Sequence, residues 1–149
     1  MLKASRDMFT NNEVLFVGYS ERNNKFSQMV YRGFSENDIK VYPYNTKDSG
    51  NYDIKVYQSI EELPKIPECA YILLNKDNTR QAVNSLADKG IKKVLIHTKK
   101  SVDDELLERC ENSGIQVAIA CPMMLFGSGI YRLQSSFSSV LALNYFCWS

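Results

Sequence analysis

The sequence is poor in the residues that build metal sites and disulfide frameworks. It has one histidine, His97, and four cysteines, Cys69, Cys110, Cys121 and Cys147, none of which forms a C-x-x-C pair. This set does not favour a structural zinc site, and its spacing does not resemble the disulfide framework of a secreted domain. We therefore expect no metal and reduced thiols, as in a cytoplasmic protein.

Excess charge and long apolar runs are missing too. Eighteen basic and 17 acidic residues give a formal net charge of +1, which argues against a non-specific nucleic-acid or membrane surface. Residues 1–13 lack the apolar run of a signal peptide. The apolar stretch "VLALNYFCW" near the C-terminus is far shorter than the roughly 20 residues of a membrane-spanning helix.

What the chain does contain is a regular alternation of two kinds of segment. Short apolar runs rich in branched residues are typical of buried parallel strands; they occur at 13–18, 39–44, 70–75, 92–98 and 115–121. Apolar residues at helical spacing predict helices, and they occur at 26–34, 79–87 and 102–110. Ser101, three residues before Asp104, is a capping-box-like start for the last helix. Between the second and third strands the crossover is reduced to a strand-like "KVY" (55–57) and one helical turn at "SIEEL".

Strands that alternate with helices imply a parallel sheet with right-handed crossovers. We therefore predict an α/β fold with three layers, a Rossmann-like, doubly wound, five-stranded sheet in the order 3-2-1-4-5. Ligands of such sheets bind outside the carboxyl ends of the strands, here at the switch between strands 1 and 4. We expect a single domain over 1–149, with an apolar helix at about 135–148 that covers the sheet or, alternatively, forms a homodimer contact.

The turn after the first strand is the best-placed site. Gly18 can approach a ligand closely because it has no Cβ, and the following helix presents N–H groups and the positive end of its dipole. Ser20 and Ser27 add hydroxyl groups, while Arg22 and Lys25 add positive charge. These features fit a pyrophosphate; the alternative is a polar connecting loop with incidental charges.

A nicotinamide cofactor fits this turn less well. The G-x-G-x-x-G pattern would need glycines at positions 18, 20 and 23, and only Gly18 is present. Strand 2 ends at Tyr44–Asn45, without the acidic residue that usually holds the ribose hydroxyls. Asp38 precedes strand 2 and so lies at its wrong end.

Four segments, in order and at ordinary spacings, form a composite pattern. "VGYSERNNKFSQMV" (17–30) has the form of a V-G-A-S loop with its downstream Ser and Val. "KVYPYN" (40–45) follows V-x-P-V-N-P, "KVYQSIEELPKIPE" (55–68) follows K-x-Y-x-S-L-x-x-I-P, and "VAIACP" (117–122) ends a strand in C-P. Together they resemble the small stand-alone CoA-binding proteins, which are related to the CoA-binding domain of the succinyl-CoA synthetase α-subunit.

The resemblance implies which residues would contact CoA or an acyl-CoA. They are Gly18, Tyr19, Ser20, Lys25 and Ser27 in the turn after strand 1; Pro43, Tyr44 and Asn45 at the end of strand 2; Asn75 and Lys76 after strand 3; and Cys121 at the end of strand 5. Four positions depart from the family's pattern. Tyr19 replaces a small residue, Tyr44 an apolar one, Thr46 a proline and Ala120 an arginine. Tyr19 and Tyr44 are candidates to stack on an adenine ring.

Two residues at the predicted carboxyl ends raise the question of chemistry. The Cys121 thiol could form a mixed disulfide with the CoA thiol, or fill a tight strand end as a small apolar residue. His97 could act as a general base or phosphate contact, or be a polar residue satisfied at the end of its strand. The sequence offers no obvious partner for it.

We therefore expect a non-catalytic module that binds the nucleotide end of CoA or an acyl-CoA. The resemblance does not extend to the synthetase's second domain, which holds the phosphorylated histidine loop, so ligase activity is not expected. One alternative is an NAD(P)-binding sensor or small oxidoreductase. Another is a ligand-free scaffold that binds other proteins through its C-terminal helix.

Overall fold

Five parallel strands form one sheet in the computed structural model, which describes residues 1–20, 24–47 and 52–126. Their order is β2-β1-β3-β4-β5, and they are β1 (Glu13–Val17), β2 (Lys40–Tyr44), β3 (Cys69–Ile72), β4 (Lys93–Ile96) and β5 (Gln116–Ile119). The helices are α1 (Asn24–Glu36), α2 (Lys76–Ala87), α3 (Asp104–Asn112) and α4 (Pro122–Phe126). The predicted Rossmann-like α/β class, with its doubly wound parallel sheet, is confirmed.

The strand order matches the predicted pattern once a short extended segment is counted. Tyr57, in the reduced crossover, makes a parallel bridge to Tyr44 at the outer side of β2. When that segment is counted as the third in the chain, β3, β4 and β5 become the fourth, fifth and sixth segments. The order of the first five segments is then 3-2-1-4-5, and β5 follows at the far edge of the sheet. The strand Cys69–Ile72, predicted as the third strand, is then the fourth segment, and it pairs with β1 and not with β2. The point at which the strand order reverses therefore lies between β1 and β3.

The two faces of the sheet bury separate apolar clusters. Along β1, Val14 and Phe16 join the cluster beneath α1 and α4, while Leu15 and Val17 join the cluster beneath α2 and α3. All four side chains are buried, because alternate residues of a strand point to opposite faces and both faces are covered by helices. We call these two sides the α1 face and the α2 face.

A continuous row of hydrogen bonds closes the carboxyl edge of the sheet. The N–H of Gly18 donates to the Tyr44 carbonyl at 2.9 Å, and that of Leu73 donates to the Val17 carbonyl at 2.9 Å. The same relation links the next strands, from His97 to Ile72 at 3.0 Å and from Ala120 to Ile96 at 3.1 Å. The turns that follow the strands are therefore fixed to their neighbours before they leave the sheet.

The structure corrects the predicted start of α3 and adds a helix that was not predicted. Asp103 and not Ser101 caps α3, since the Asp103 carboxylate accepts the N–H of Leu106 at 2.8 Å. The Ser101 hydroxyl instead donates to the Leu74 carbonyl at 2.7 Å. After Cys121 the chain forms α4, which the sequence pattern did not predict. The helix expected at about 135–148, and with it the choice between a sheet cover and a dimer contact, lies outside the described residues.

Helix α4 packs on α1 beside Gly33. A Cβ on Gly33 would lie 2.9 Å from the Met123 sulfur, so a larger residue there would require the Met123 side chain to shift. Phe34 and Phe126 complete the contact with ring centroids 5.4 Å apart. No helix within the described ranges has the length and apolar character needed to cross a membrane.

Candidate functional site

A cleft of about 150 Å³ opens at the carboxyl edge of the sheet, on the α2 face. It lies beside the switch between β1 and β3, where α1 and α2 leave the sheet towards opposite faces. One part of its lining is apolar and consists of Val17, Leu74, Ala82 and Leu86. The polar part consists of Thr46, Lys47, Asn78, Gln81 and Ser85. Gly18, Tyr44 and Asn45 complete the lining. The cleft can therefore receive a flat apolar group with polar edges.

Gly18 is required by the packing of this edge. Its φ is +94°, a conformation that residues with a side chain rarely adopt. A Cβ at this position would lie 2.3 Å from the Leu73 carbonyl oxygen and 2.9 Å from a methyl carbon of Leu74. The glycine thus lets the turn after β1 pass directly beside the turn after β3, and it lines the cleft as a result.

Asn45 holds the turns after β1 and β2 together. Its side-chain N–H donates to the Tyr19 carbonyl at 3.0 Å, while its side-chain oxygen accepts the backbone N–H of Lys47 at 3.0 Å. Its own backbone N–H donates to the Tyr57 carbonyl at 2.9 Å. The predicted site residue therefore shapes the cleft in addition to lining it. Pro43 is buried within β2, where its carbonyl accepts the Tyr57 N–H at 2.8 Å.

Lys47 and helix α2 supply the cleft residues that sequence reasoning missed. The Lys47 ammonium donates to the Asn78 side-chain oxygen at 3.0 Å, which joins the turn after β2 to α2. Asn78, Gln81 and Ser85 lie at positions i, i+3 and i+7 of α2, and so form one polar stripe. The signal was present in the sequence, because this stripe adjoins the apolar stripe used to predict the helix.

Asn75 and Lys76 serve the start of α2. The Asn75 side chain caps the helix by accepting the Asn78 N–H at 2.9 Å. The Lys76 ammonium lies 3.5 Å from the Asp103 carboxylate, which also contacts Arg80. The hydrogen bond from the Leu106 N–H, together with Arg80, holds the pKa of Asp103 below its usual value. Both predicted residues are exposed and stand next to the cleft without lining it.

Tyr19 and Cys121 lie on the α1 face, away from the cleft. The Tyr19 side chain is buried against Phe16, with ring centroids 5.3 Å apart. Burial, followed by the nearby Tyr31 and Asp53, raises the pKa of its hydroxyl. Cys121 is also buried and joins the same apolar cluster.

Of the two tyrosines proposed to stack on adenine, only Tyr44 lines the cleft. Burial, followed by the nearby Glu61, raises the pKa of the Tyr44 hydroxyl.

The first turn of α1 contains an orphaned polar atom. The Ser27 side chain is fully buried, and its hydroxyl oxygen has no hydrogen-bond partner among the residues described. Lys25, two residues earlier, is exposed, and Ser20 is half-buried. A buried hydroxyl without a partner costs roughly 1–3 kcal/mol. An unsatisfied donor at a helix N-terminus is compatible with an anion such as a phosphate.

His97 has the hydrogen-bond partner that the sequence could not identify. Its Nδ1 lies 2.8 Å from the hydroxyl of Tyr71, a fully buried residue of β3. Its ring also packs edge-on against Phe26 at 5.1 Å between centroids. This geometry fits a polar residue satisfied at the end of its strand. In the described ranges, no group of His, Cys, Asp and Glu side chains is arranged to hold a metal ion.

A protein-family model matches most of this chain. The model of the CoA-binding domain family matches residues 12–126, which include the cleft, the turn after β1 and α4. The chain is a member of this family. It is also 26% identical over 119 residues to the α-subunit of acetate–CoA ligase (ADP-forming) II from Pyrococcus furiosus. That match covers 73% of this chain and 26% of the relative, so the chain spans about a quarter of the curated protein's length.

Solved structures share the same fold. A hypothetical protein from Pyrococcus horikoshii superimposes with a TM-score of 0.68 at 21% identity, over 85% of this chain and 89% of that one. A conserved hypothetical protein from P. furiosus gives 0.64 at 20% identity, over 75% and 97%. A protein from Thermus thermophilus gives 0.67 at 15% identity, over 80% and 91%. These similarities establish the fold alone.

The residues present fit part of a CoA molecule. An apolar wall beside a lysine and several amides suits an adenine ring with a neighbouring phosphate. A volume of about 150 Å³ is below the roughly 300–1,000 Å³ of a pocket that encloses a whole drug-sized ligand. A cleft of this size fits one end of a CoA molecule and not the whole molecule.

Proposed function

We propose that this protein binds CoA or an acyl-CoA at the carboxyl ends of β1 and β2 and carries out no chemistry on it. The observation that carries the proposal is the cleft lined by Gly18, Tyr44, Asn45 and Lys47. It combines an apolar wall, a cation and amide groups at the switch point of the sheet, within a chain of the CoA-binding domain family.

The adenosine half of the ligand belongs in the cleft. Val17, Leu74 and Ala82 offer the apolar surface for the base, and Tyr44 stands beside them for stacking. Lys47 supplies the positive charge that a neighbouring phosphate needs. Pro43 and Asn45 take part by fixing the wall and the turn around this half.

The pyrophosphate belongs at the turn after β1. Here Gly18 and Tyr19 bring the chain of the turn close to the ligand, Ser20 and Ser27 provide hydroxyl groups, and Lys25 provides charge at the first turn of α1. The orphaned Ser27 hydroxyl supports this placement, since a bound anion would relieve a buried polar group that lacks a partner. Asn75 and Lys76 would border the crevice on its other side.

A binding role is favoured over catalysis by the surroundings of the reactive groups. His97 is engaged by Tyr71, and Cys121 is buried among apolar residues of the α1 face. A mixed disulfide at Cys121 would require the CoA thiol to reach that face. The ligase activity of the P. furiosus relative belongs to a much longer chain, so it is not part of the proposal.

A panel of ligands tests the proposal. Thermal unfolding is followed with CoA, acetyl-CoA, NAD, NADP and ATP, each titrated to millimolar concentration, and each hit is confirmed by calorimetry. A ligand that binds the folded state raises the unfolding midpoint with concentration, and we expect saturable shifts with CoA and acetyl-CoA. A shift with NAD alone would replace CoA by a nicotinamide cofactor. A flat response to all five would favour the scaffold role.

A further inference from the structure

Tyr19, which replaces a small residue in the loop motif, lines a second groove on the α1 face. The groove has a volume of about 370 Å³ and runs between α1 and residues 52–54. Tyr31 and Arg32 line it from α1, and Tyr52 and Asp53 line it from the facing segment. None of these residues lines the cleft on the α2 face, so this is a separate cavity.

Three tyrosine rings form a corner in this groove, in which the buried Tyr19 ring supports the half-buried rings of Tyr31 and Tyr52. The Tyr19 ring packs edge-on against Tyr31, with centroids 6.3 Å apart and an interplanar angle of 79°. It meets Tyr52 at 5.7 Å and 67°. Aromatic faces carry partial negative charge and attract cations, and clusters of aromatic rings are used by proteins to recognise quaternary ammonium groups.

Two opposite charges line the same groove. Arg32 and Asp53 are both exposed, and neither belongs to an ion pair in the described part of the chain. Asp53 lies near enough to Tyr19 to contribute to the raised pKa of its hydroxyl. The groove therefore combines an aromatic corner, a carboxylate beside it and a guanidinium.

We propose that this groove binds a small zwitterion that carries an ammonium group and a carboxylate. The ammonium group lies against the half-buried rings of Tyr31 and Tyr52 with Asp53 as its counter-charge, and the carboxylate pairs with Arg32. A simple cation would meet repulsion from Arg32, and a simple anion would meet repulsion from Asp53. A zwitterion satisfies both, and Gln28 and Ser35 on the same helix face add polar contacts.

Tyr19 links the two cavities through one hydrogen bond. Its ring borders the zwitterion groove, while its backbone carbonyl accepts the hydrogen bond from Asn45, which lines the CoA cleft. The zwitterion proposal stands independently of CoA binding, because it rests on the α1 face alone. Its test can therefore succeed or fail whatever the CoA panel shows.

The test is a titration of the full chain with glycine betaine and with the common L-amino acids. Binding is followed by NMR shifts of the tyrosine rings, and tetramethylammonium and acetate serve as probes that carry only one of the two charges. We expect at least one zwitterion to saturate the shifts, and both single-charge probes to bind about ten-fold more weakly or worse.

Variants assign the binding to the groove. Asp53→Asn and Arg32→Gln should each weaken the zwitterion about ten-fold or more, since each removes one charged partner. Tyr31→Leu should weaken it by roughly 2- to 30-fold through the lost ring face. Asp88→Asn, an exposed change at the end of α2, is the matched control and should leave affinity unchanged. Folding of each variant is checked by its NMR spectrum.

Three results would overturn the proposal. One is the absence of any saturable shift of the Tyr31 and Tyr52 signals with every zwitterion tested. Another is unchanged affinity in both charge variants. The third is that tetramethylammonium binds as tightly as glycine betaine and that Arg32→Gln leaves its affinity unchanged. The groove would then be a cation site.

Discussion

The side-chain amide of Asn45 donates a hydrogen bond to the backbone carbonyl of Tyr19 at 3.0 Å. This bond joins the turns after β1 and β2, and it connects a residue of the cleft to a residue whose ring lies on the opposite face. The proposed binding turn is thus held by a side chain from the neighbouring strand. The bond can be removed without touching either apolar cluster.

Asn45→Asp removes that bond and turns a carboxylate oxygen towards the Tyr19 carbonyl. The aspartate keeps an acceptor for the Lys47 N–H and loses the donor to Tyr19, so we expect the free energy of unfolding to fall by about 1 kcal/mol. Asn45→Ala removes both bonds and should cost more. Urea unfolding measures both variants, with the exposed Asn112→Ala as a control that changes stability by no more than about 0.5 kcal/mol. An Asn45→Asp protein as stable as the wild type would show that the bond contributes nothing.

A comparison of Gly18 with Gly90 separates the energetic cost of the backbone conformation from the cost of a steric clash. Gly18 and Gly90 have nearly the same φ, +94° and +95°, but a Cβ at Gly90 would meet no atom within 4 Å. Gly90→Ala should cost roughly 1–2 kcal/mol through its backbone alone. Gly18→Ala should cost clearly more, because its Cβ collides with the Leu73 carbonyl. Equal losses of unfolding free energy in the two variants would contradict the close approach at Gly18.

Lys47 is the cation that lines the proposed nucleotide cleft. Lys47→Ala should weaken CoA about ten-fold or more, as expected for a lost charge-assisted contact to phosphate. Calorimetry measures the affinity, and Lys3→Ala, an exposed lysine next to Leu2 at the β5 edge, is the control. Lys25→Ala tests the contact predicted from the sequence in the same way. An unchanged affinity in Lys47→Ala would remove Lys47 from the site.

Asp103 should make stability depend on pH in the acid range. Its pKa in the folded protein is lowered, so its stabilising contribution is present above the unfolded value of about 3.9 and is lost as pH falls through the folded value. Asp103→Asn keeps a good helix cap and removes the charge. The difference in unfolding free energy between wild type and this variant should therefore shrink below about pH 4.

Urea midpoints from pH 2 to 7 check this expectation. High salt should also reduce the difference at neutral pH, because Asp103 and its partners are partly exposed and such charges are screened. A difference that stays constant across the whole pH range would mean that the carboxylate charge plays no part.

The fold was largely predictable because its signals are local. Buried parallel strands such as Cys69–Ile72 are continuous apolar runs, and helices such as Lys76–Ala87 repeat apolar residues at helical spacing. The placement of the extended segment at Tyr57 was harder, since it is set by a single bridge to Tyr44 across the sheet edge. The cap of α3 was misplaced because Ser101 and Asp103 are both good capping residues, and only tertiary contacts decide between them.

The candidate site was predicted less completely. The sequence pointed to the turn after β1 and the end of β2, since motifs lie on consecutive residues, and Gly18, Tyr44 and Asn45 line the cleft. The contribution of α2 was missed, because Asn78 and Gln81 join the cleft through the way the helix packs on the sheet. The direction in which the Tyr19 ring points also depends on tertiary packing: its neighbours Phe16, Tyr31 and Tyr52 come from three separate parts of the chain.

The hydrogen bonds that close the carboxyl edge should slow amide hydrogen exchange in the turns that follow β1 and β3. The amides of Gly18 and Leu73 are both engaged by carbonyls of neighbouring strands, so they exchange with deuterium only when the sheet itself opens. We expect their exchange to be as slow as that of the central strands, unlike that of ordinary surface turns. A ligand arriving at this edge would meet peptide groups that have already lost their freedom on folding, and its association would need no slow ordering step there.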